Sequence, residues 1–264
     1  MNTFFLDRLN SEPHALAFAG QSTPWPVALA DQSANPALDE ALHTHAAAAQ
    51  ALLYPVSAEL LATTGRPVDL FGFEPNPARL GAAAAASASV PGIALTQLGA
   101  LLDAAALGYN PAQAKPVAVL GHSQGVLAVH MVQAICEAGS IDAAAAKIDE
   151  ILAIATLIGV AGTRQARQLG LAARHGEATP MLSVKDITRA QVDALIERVD
   201  GARGPIAVAV TNSATHYVLS GYPEDLAAFG VEVAKEHKRQ AQLREEKVCG
   251  GRVFNPVLEY LDVT

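Results

Sequence analysis

The chain has 264 residues, of which 51% are hydrophobic but only 5% aromatic, so its core must consist mainly of Ala, Val and Leu. The net charge of −8 argues against a basic nucleic-acid-binding surface, because neutralising phosphates needs clustered Lys and Arg. Two cysteines are too few for a disulfide framework or a zinc site, no apolar run approaches the roughly 20 residues of a membrane span, and no export signal is recognisable. We therefore expect a cytoplasmic protein that binds neither nucleic acid nor membrane.

The first two thirds of the chain alternate short apolar runs with Ala- and Leu-rich stretches at helical spacing. The predicted elements are a strand at 14–20, a helix at 35–61, a loop at 63–81, a helix at 89–108, a strand at 117–120, and helices at 125–139 and 143–170. This alternation of strands and helices predicts an α/β domain.

After residue 176 the predicted order changes to β-α-β-β-α, with Thr188 placed to cap the first helix. The elements are a strand at 180–184, a helix at 187–199, two strands within 206–221 and a helix at 222–240. This order predicts a ferredoxin-like subdomain at 179–247, inserted into a larger core that comprises 1–178 and 248–264. The charged run at 235–240 is interpreted as a solvated helix face.

A Gly-x-Ser-x-Gly sequence, Gly121-His122-Ser123-Gln124-Gly125, lies between a predicted strand and a predicted helix. This arrangement is typical of a nucleophile elbow, in which glycines permit a tight turn that exposes the serine. Ser123 is the candidate nucleophile, and the backbone amide of Gln124 is a candidate oxyanion donor. The alternative is a strand–helix turn with an incidental serine. The motif alone does not choose between hydrolysis and acyl transfer.

Six segments resemble, in the same order, segments of the acyltransferase domains of fatty acid synthases: 16–25, 90–100, 118–125, 179–184, 210–221 and 250–263. In particular, the chain resembles the N-terminal acetyltransferase domain of bacterial type I multidomain synthases. The resemblance implies a parallel-sheet, hydrolase-like acyltransferase core with an inserted ferredoxin-like subdomain. It also implies that an acetyl group passes from acetyl-CoA, through an ester on Ser123, to the phosphopantetheine thiol of an acyl carrier protein domain.

The same resemblance implies further site residues. The backbone amide of Gln21 is the second oxyanion donor, and the catalytic base is a histidine in a segment that we expect after Thr264. Within the chain, His216 is the alternative base, and Asn212 and His216 are possible residues of the site lining.

Substrate selectivity is predicted from a missing arginine. In malonyl-selective relatives an arginine on the helix after the elbow binds the free carboxylate. This chain has no arginine between Gln124 and Thr163, and Ile158 is placed at or next to that position. An apolar residue leaves a malonyl carboxylate desolvated and unpaired, which predicts a preference for acetyl. Alternatively, Ile158 is an ordinary core residue of its helix.

The implied partners are acetyl-CoA, the acyl carrier protein domain and other synthase domains, with a homo-hexamer for the full-length synthase. No metal or cofactor is expected in this domain, whereas FMN, NADPH and phosphopantetheine are expected elsewhere in the synthase. Two other classes stay open. A serine hydrolase or thioesterase of the α/β-hydrolase class requires an acid and a histidine after Ser123. A catalytically inactive domain would serve mainly in assembly.

Overall fold

The computed structural model describes residues 8–20, 24–52, 70–71, 86–168, 180–199, 203–245 and 254–261. The chain forms two compact units, Met1–Gln165 and Ala166–Thr264, each with a hydrophobic core of its own.

The first unit combines helices with a parallel sheet. Its described elements are β1 (Ala15–Phe18), α1 (Trp25–Ser33), α2 (Pro36–Leu52), α3 (Ala86–Ala106), α4 (Pro111–Ala114), β2 (Ala118–Gly121), α5 (Val126–Ala138) and α6 (Ala145–Gln168), of which the last three residues belong to the second unit. Strands β1 and β2 pair in parallel, with Ala15 opposite Ala118 and Phe18 opposite Gly121. Parallel strands need a crossover connection, and helices α1–α4 lie in that connection. Helix α5, which follows β2, packs on both strands.

Helix α3 lies at the centre of this unit and contacts α1, α2 and α5. Small residues allow α1 to approach it closely. A Cβ atom on Gly92 would lie 2.5 Å from the ring of Trp25, which is 2% exposed. One side-chain bond also joins the two helices, since Nε2 of Gln32 donates to the carbonyl of Thr96 at 2.9 Å. A helix that is apolar around most of its circumference is typical of a protein core.

Among the described residues, α3 is the one helix that is long and apolar enough to cross a membrane by length and composition. This corrects the expectation that no stretch of the chain approaches that length. Within the protein, 72% of the apolar stretch is buried, so its surface is used in packing against the other helices.

Helix α1 is not among the predicted elements, and two prolines, Pro24 and Pro26, lie at its start. Both prolines are compatible with a helix start, since Pro24 is the N-cap residue and Pro26 lies in the first turn, where no intrahelical N–H bond is lost. Helix α2 was predicted to continue to residue 61. It is described as far as Leu52, and 53–61 lie outside the described residues.

The second unit contains a sheet and two helices. Its elements are β3 (Met181–Lys185), α7 (Arg189–Ile196), β4 (Ala207–Ser213), β5 (His216–Ser220), α8 (Pro223–Glu245) and β6 (Val257–Tyr260). The strand order is β4-β5-β3-β6, and every neighbouring pair is antiparallel. The predicted cap of α7 is confirmed, because Thr188 and Gln191 form a capping box.

Strand β6 corrects the predicted domain boundary. The segment 248–264 was assigned to the larger core, but Val257–Tyr260 pairs with β3, with Leu182 opposite Tyr260. The extended character of this segment is visible in the sequence, whereas its pairing partner, far earlier in the chain, is not. The second unit therefore has the order β-α-β-β-α-β and reaches at least to Tyr260.

The charged run at 235–240 is not solvated throughout. The side chain of Glu236 is 8% exposed and accepts hydrogen bonds from Arg239 at 2.6 Å, Gln240 at 2.9 Å and Arg198 of the neighbouring segment at 2.9 Å. The Arg239 hydrogen bond is the main cause that lowers the pKa of Glu236 from 4.5 to about 2, and Gln240 and Arg198 add to it against the effect of burial.

Candidate active site

Ser123 lies on a sharp turn between β2 and α5. The strand ends at Gly121, a 3₁₀ turn covers Ser123–Gly125, and α5 follows immediately. The φ angle of Ser123 is +54°, a left-handed conformation that residues with a Cβ rarely adopt. The amide of His122 donates to the carbonyl of Phe18 at 3.0 Å, which ties the turn to β1. This is the strand–turn–helix geometry of a nucleophile elbow.

Both glycines of the motif are required by close backbone contacts. A Cβ on Gly121 would lie 2.5 Å from the carbonyl carbon and oxygen of Gly125. A Cβ on Gly125 would collide with the carbonyl of Phe18. Backbone atoms cannot move aside as a flexible side chain can, so larger residues at either position would force the turn open.

Gly20, two residues after β1, lies directly against the turn. A Cβ on Gly20 would lie 2.5 Å from the carbonyl oxygen of His122, 2.8 Å from Cβ of Ser123 and 3.2 Å from the amide nitrogen of Gln124. Gly20 was not predicted as a site residue, although a glycine directly before the predicted oxyanion donor is visible in the sequence. Gln21, the predicted second oxyanion donor, follows it in the chain and lies outside the described residues.

The surroundings of Ser123 suit a developing negative charge. Ser123 and His122 are exposed, and α5 begins with no side chain capping its first N–H groups. Uncapped amides at a helix N-terminus carry a partial positive charge that stabilises an oxyanion.

No described histidine hydrogen-bonds to Ser123. His216 is in the second unit, where its Nε2 lies 3.1 Å from Oγ of Ser183 and 3.4 Å from Nδ2 of Asn212. The structure therefore brings the two predicted residues Asn212 and His216 together. A third residue, the buried Ser183, lies beside His216 and was not predicted from the sequence. The histidine expected after Thr264 stays a prediction.

Ile158, the predicted selectivity residue, is on α6 in the first unit and is 52% exposed. It is therefore not a core residue. Ile154 and Leu157 are also exposed, and their spacing places the three side chains on one face of the helix. The next residue, Gly159, packs so closely on the carbonyl of Ala86 that a Cβ would collide with it, which fixes α6 against the start of α3.

A metal centre is not apparent in the described part of the chain, which contains no group of three or more His, Cys, Asp or Glu side chains that could hold an ion.

Comparison with known proteins gives a family match in the second unit. Residues 180–260 match the model of the family described as the fatty acid synthase central AT domain. The chain is also similar to the fatty acid synthase beta subunit hexB of Dothistroma septosporum, with 30% identity over 128 residues. That alignment covers 44% of this chain and 7% of the fungal protein, so the chain spans a small part of the length of this curated relative.

Similar solved structures include the malonyl CoA-acyl carrier protein transacylases of Coxiella burnetii and Clostridium perfringens. Each is 17% identical to this chain, with a TM-score of 0.48 over 85% of this chain and 58% of the transacylase.

Proposed function

Since these comparisons support the resemblance to an acyltransferase domain of a fatty acid synthase, we propose that the chain transfers an acetyl group from acetyl-CoA to the phosphopantetheine thiol of an acyl carrier protein. The observation that carries the proposal is the φ angle of +54° at Ser123, on a turn held by Gly121 and Gly125. Backbone strain at an exposed serine is typical of a nucleophile elbow.

In the first half-reaction, Oγ of Ser123 attacks the thioester carbonyl and gives its proton to a general base. The carbonyl oxygen becomes an oxyanion, which the amide of Gln124 and that of Gln21 stabilise. Collapse of this intermediate breaks the carbon–sulfur bond. The base gives its proton to the sulfur, and CoA leaves as the free thiol. An acetyl ester remains on Ser123.

In the second half-reaction, the phosphopantetheine thiol gives its proton to the base and its thiolate attacks the ester. Ser123 leaves as an alkoxide and regains the proton, so the acetyl group is now a thioester of the carrier protein. The base in both steps is the histidine expected after Thr264. The position of Gly20 supports the assignment of Gln21, because the residue before it already touches Ser123 and Gln124.

The proposed acetyl preference rests on Ile158 and on the lack of an arginine between Gln124 and Thr163. The exposed side chain of Ile158 can contact an acetyl methyl group but offers a malonyl carboxylate no cationic partner. FMN and NADPH, which the resemblance implies for other domains of a synthase, have no part in the steps assigned to this chain.

Intact-protein mass spectrometry tests the proposal. The protein in its full natural reading frame, incubated with acetyl-CoA, should gain one acetyl group that is lost in Ser123→Ala and that is discharged by a carrier-protein thiol. Discharge to water at the same rate with or without that thiol would instead identify a serine hydrolase or thioesterase. An undiminished adduct in Ser123→Ala would refute the assignment of the nucleophile.

A further inference from the structure

Gln97 makes a long-range contact to the loop beside the nucleophile. It is a polar residue in the buried helix α3, and its Nε2 donates to the carbonyl of Ala19 at 2.5 Å. Ala19 connects the end of β1 to Gly20. One side chain on a well-packed helix therefore fixes the backbone immediately before the proposed oxyanion donor Gln21.

The hydrogen bond of Gln97 affects the position of residues that lie beside the reacting groups. With Ala19 held, Gly20 stays against Cβ of Ser123 and the amide of Gln124. Helix α3 also contacts the turn Ser123–Gly125 itself. Because catalysis depends on sub-ångström placement of oxyanion donors, a shift of this loop would slow the reaction without removing any group that touches the substrate.

The other polar atom of Gln97 shows that burial alone does not favour this side chain. Its Oε1 is buried and, among the described residues, has no hydrogen-bond partner. A buried acceptor without a partner destabilises a protein, whereas an apolar side chain of the same size avoids that cost. Packing alone would therefore favour an apolar residue at this position.

Gln32 provides an internal comparison. Its Nε2 also donates to a backbone carbonyl, that of Thr96, and its Oε1 is likewise buried without a partner among the described residues. This second amide joins α1 to α3 and makes no described contact with the loop at Ala19 and Gly20. The two glutamines thus share their chemistry and differ in what they hold.

We propose that Gln97 is a positioning residue for acyl transfer: its amide holds the carbonyl of Ala19 and thereby keeps Gly20 packed against Ser123 and against the amide of Gln124, the proposed oxyanion donor. This inference rests on the proposed function. It assigns a role to a side chain that does not itself touch the acyl group.

The test replaces each glutamine by methionine, which has a similar volume but no donor or acceptor amide. In the full natural reading frame, Gln97→Met should lower the kcat of Ser123 acetylation about 10- to 100-fold, because Gly20 is no longer held against Ser123 and the amide of Gln124. The KM for acetyl-CoA should change less than about twofold, since ground-state binding is untouched. The melting temperature should change little, because the variant removes the unpartnered Oε1 but also leaves the Ala19 carbonyl without its donor. Gln32→Met should leave both kinetic constants at their wild-type values.

Two results would overturn the role of Gln97 alone. One is a folded Gln97→Met protein with wild-type kcat while the wild type acetylates Ser123 normally. The other is a parallel loss of kcat and melting temperature in both glutamine variants, which would indicate a structural role. If Gln97→Met does not fold, Gln97→Glu keeps the size, replaces the donor by an oxygen that repels the Ala19 carbonyl, and should show the same loss of kcat. A wild type that forms no ester would instead refute the proposed function, and the role of Gln97 with it.

Discussion

Gly20 and Ser123 are in van der Waals contact across the end of the parallel sheet, so closely that a Cβ on Gly20 would lie 2.8 Å from the Cβ of Ser123. The loop after β1 and the turn after β2 are therefore packed closely against each other. The two segments are adjacent because β1 and β2 are neighbours in parallel, which brings their carboxyl ends to the same edge of the sheet.

Gly20→Ala should disturb this contact. The added methyl group would lie 2.5 Å from the carbonyl oxygen of His122, so either the loop or the turn must move. We expect a loss of stability of about 1–3 kcal/mol from overpacking and a fall in the rate of Ser123 acetylation of about 100-fold. Urea unfolding and a stopped-flow acetylation assay measure the two effects.

Gly230→Ala is the matched control for Gly20→Ala. Gly230 lies in α8, where a Cβ would meet only Cδ1 of Leu258 at an ordinary 3.6 Å. The alanine should be neutral or stabilising by up to about 1 kcal/mol, because alanine favours a helix over glycine. Wild-type acetylation in Gly20→Ala would show that the close contact has no bearing on the reaction.

Ile158→Arg should weaken the preference for acetyl-CoA over malonyl-CoA. We expect the wild type to favour acetyl by at least about 100-fold in kcat/KM, which corresponds to about 2.7 kcal/mol. An arginine at this position would offer the malonyl carboxylate a bidentate partner. Ile154→Arg, on the same exposed face one turn earlier, introduces the same charge as a control. Equal kcat/KM values for the two substrates in the wild type would contradict the acetyl assignment.

The 264-residue chain alone should acetylate slowly, because we propose, from the resemblance, a general base that residues 1–264 do not supply. Loss of a general base lowers a rate by about 10²- to 10⁴-fold. The measurement compares this chain with one extended along the natural reading frame. Equal rates would place the base within the 264 residues. In that case His216→Ala, but not a change at the exposed His130, should abolish the reaction.

Glu236→Gln should destabilise the second unit in a pH-dependent way. The folded-state pKa of Glu236, about 2, lies below its ordinary value of 4.5. Its carboxylate therefore stabilises the fold fully above about pH 4.5, and this contribution is lost as the pH falls toward 2. We expect a difference of about 2 kcal/mol at pH 7, less than the full pKa shift implies because Arg198 and Arg239 are half exposed.

Urea unfolding at several pH values measures this effect of Glu236. The difference between the wild type and Glu236→Gln should shrink between pH 4.5 and pH 2. Glu224→Gln on the same helix is the control, since Glu224 is exposed and its pairing with Arg203 at 3.4 Å is solvated. A difference that is constant with pH would mean that the Glu236 carboxylate is not held by its arginines.

What the sequence predicted well is local. The elbow at Ser123 could be found because its glycines, strand and helix are contiguous, and Thr188 could be identified as a cap because its partner Gln191 is one turn away. The contacts that the sequence did not reveal join distant segments. The residues around Ala19 do not indicate that Gln97 is its hydrogen-bond donor. A glutamine within an apolar helix is nevertheless unusual and visible in the sequence.

Strand β6 and helix α1 show two further limits of sequence prediction. The extended character of Val257–Tyr260 was visible, but its pairing with β3 is decided by packing in three dimensions. Helix α1 was hidden because Pro26 has opposite meanings within a helix and at its start. In both cases tertiary contacts decided what local preference left open.

The left-handed backbone at Ser123 has a consequence for protein engineering. A glycine at this position would adopt φ = +54° without a steric penalty, so Ser123→Gly should be as stable as the wild type or more stable, by about 1 kcal/mol, even though it has no nucleophile. A laboratory selection that rewards only survival of heat or protease would then discard the reactive hydroxyl early. Any programme to make this protein more robust should therefore screen every round for acyl transfer as well as for folding.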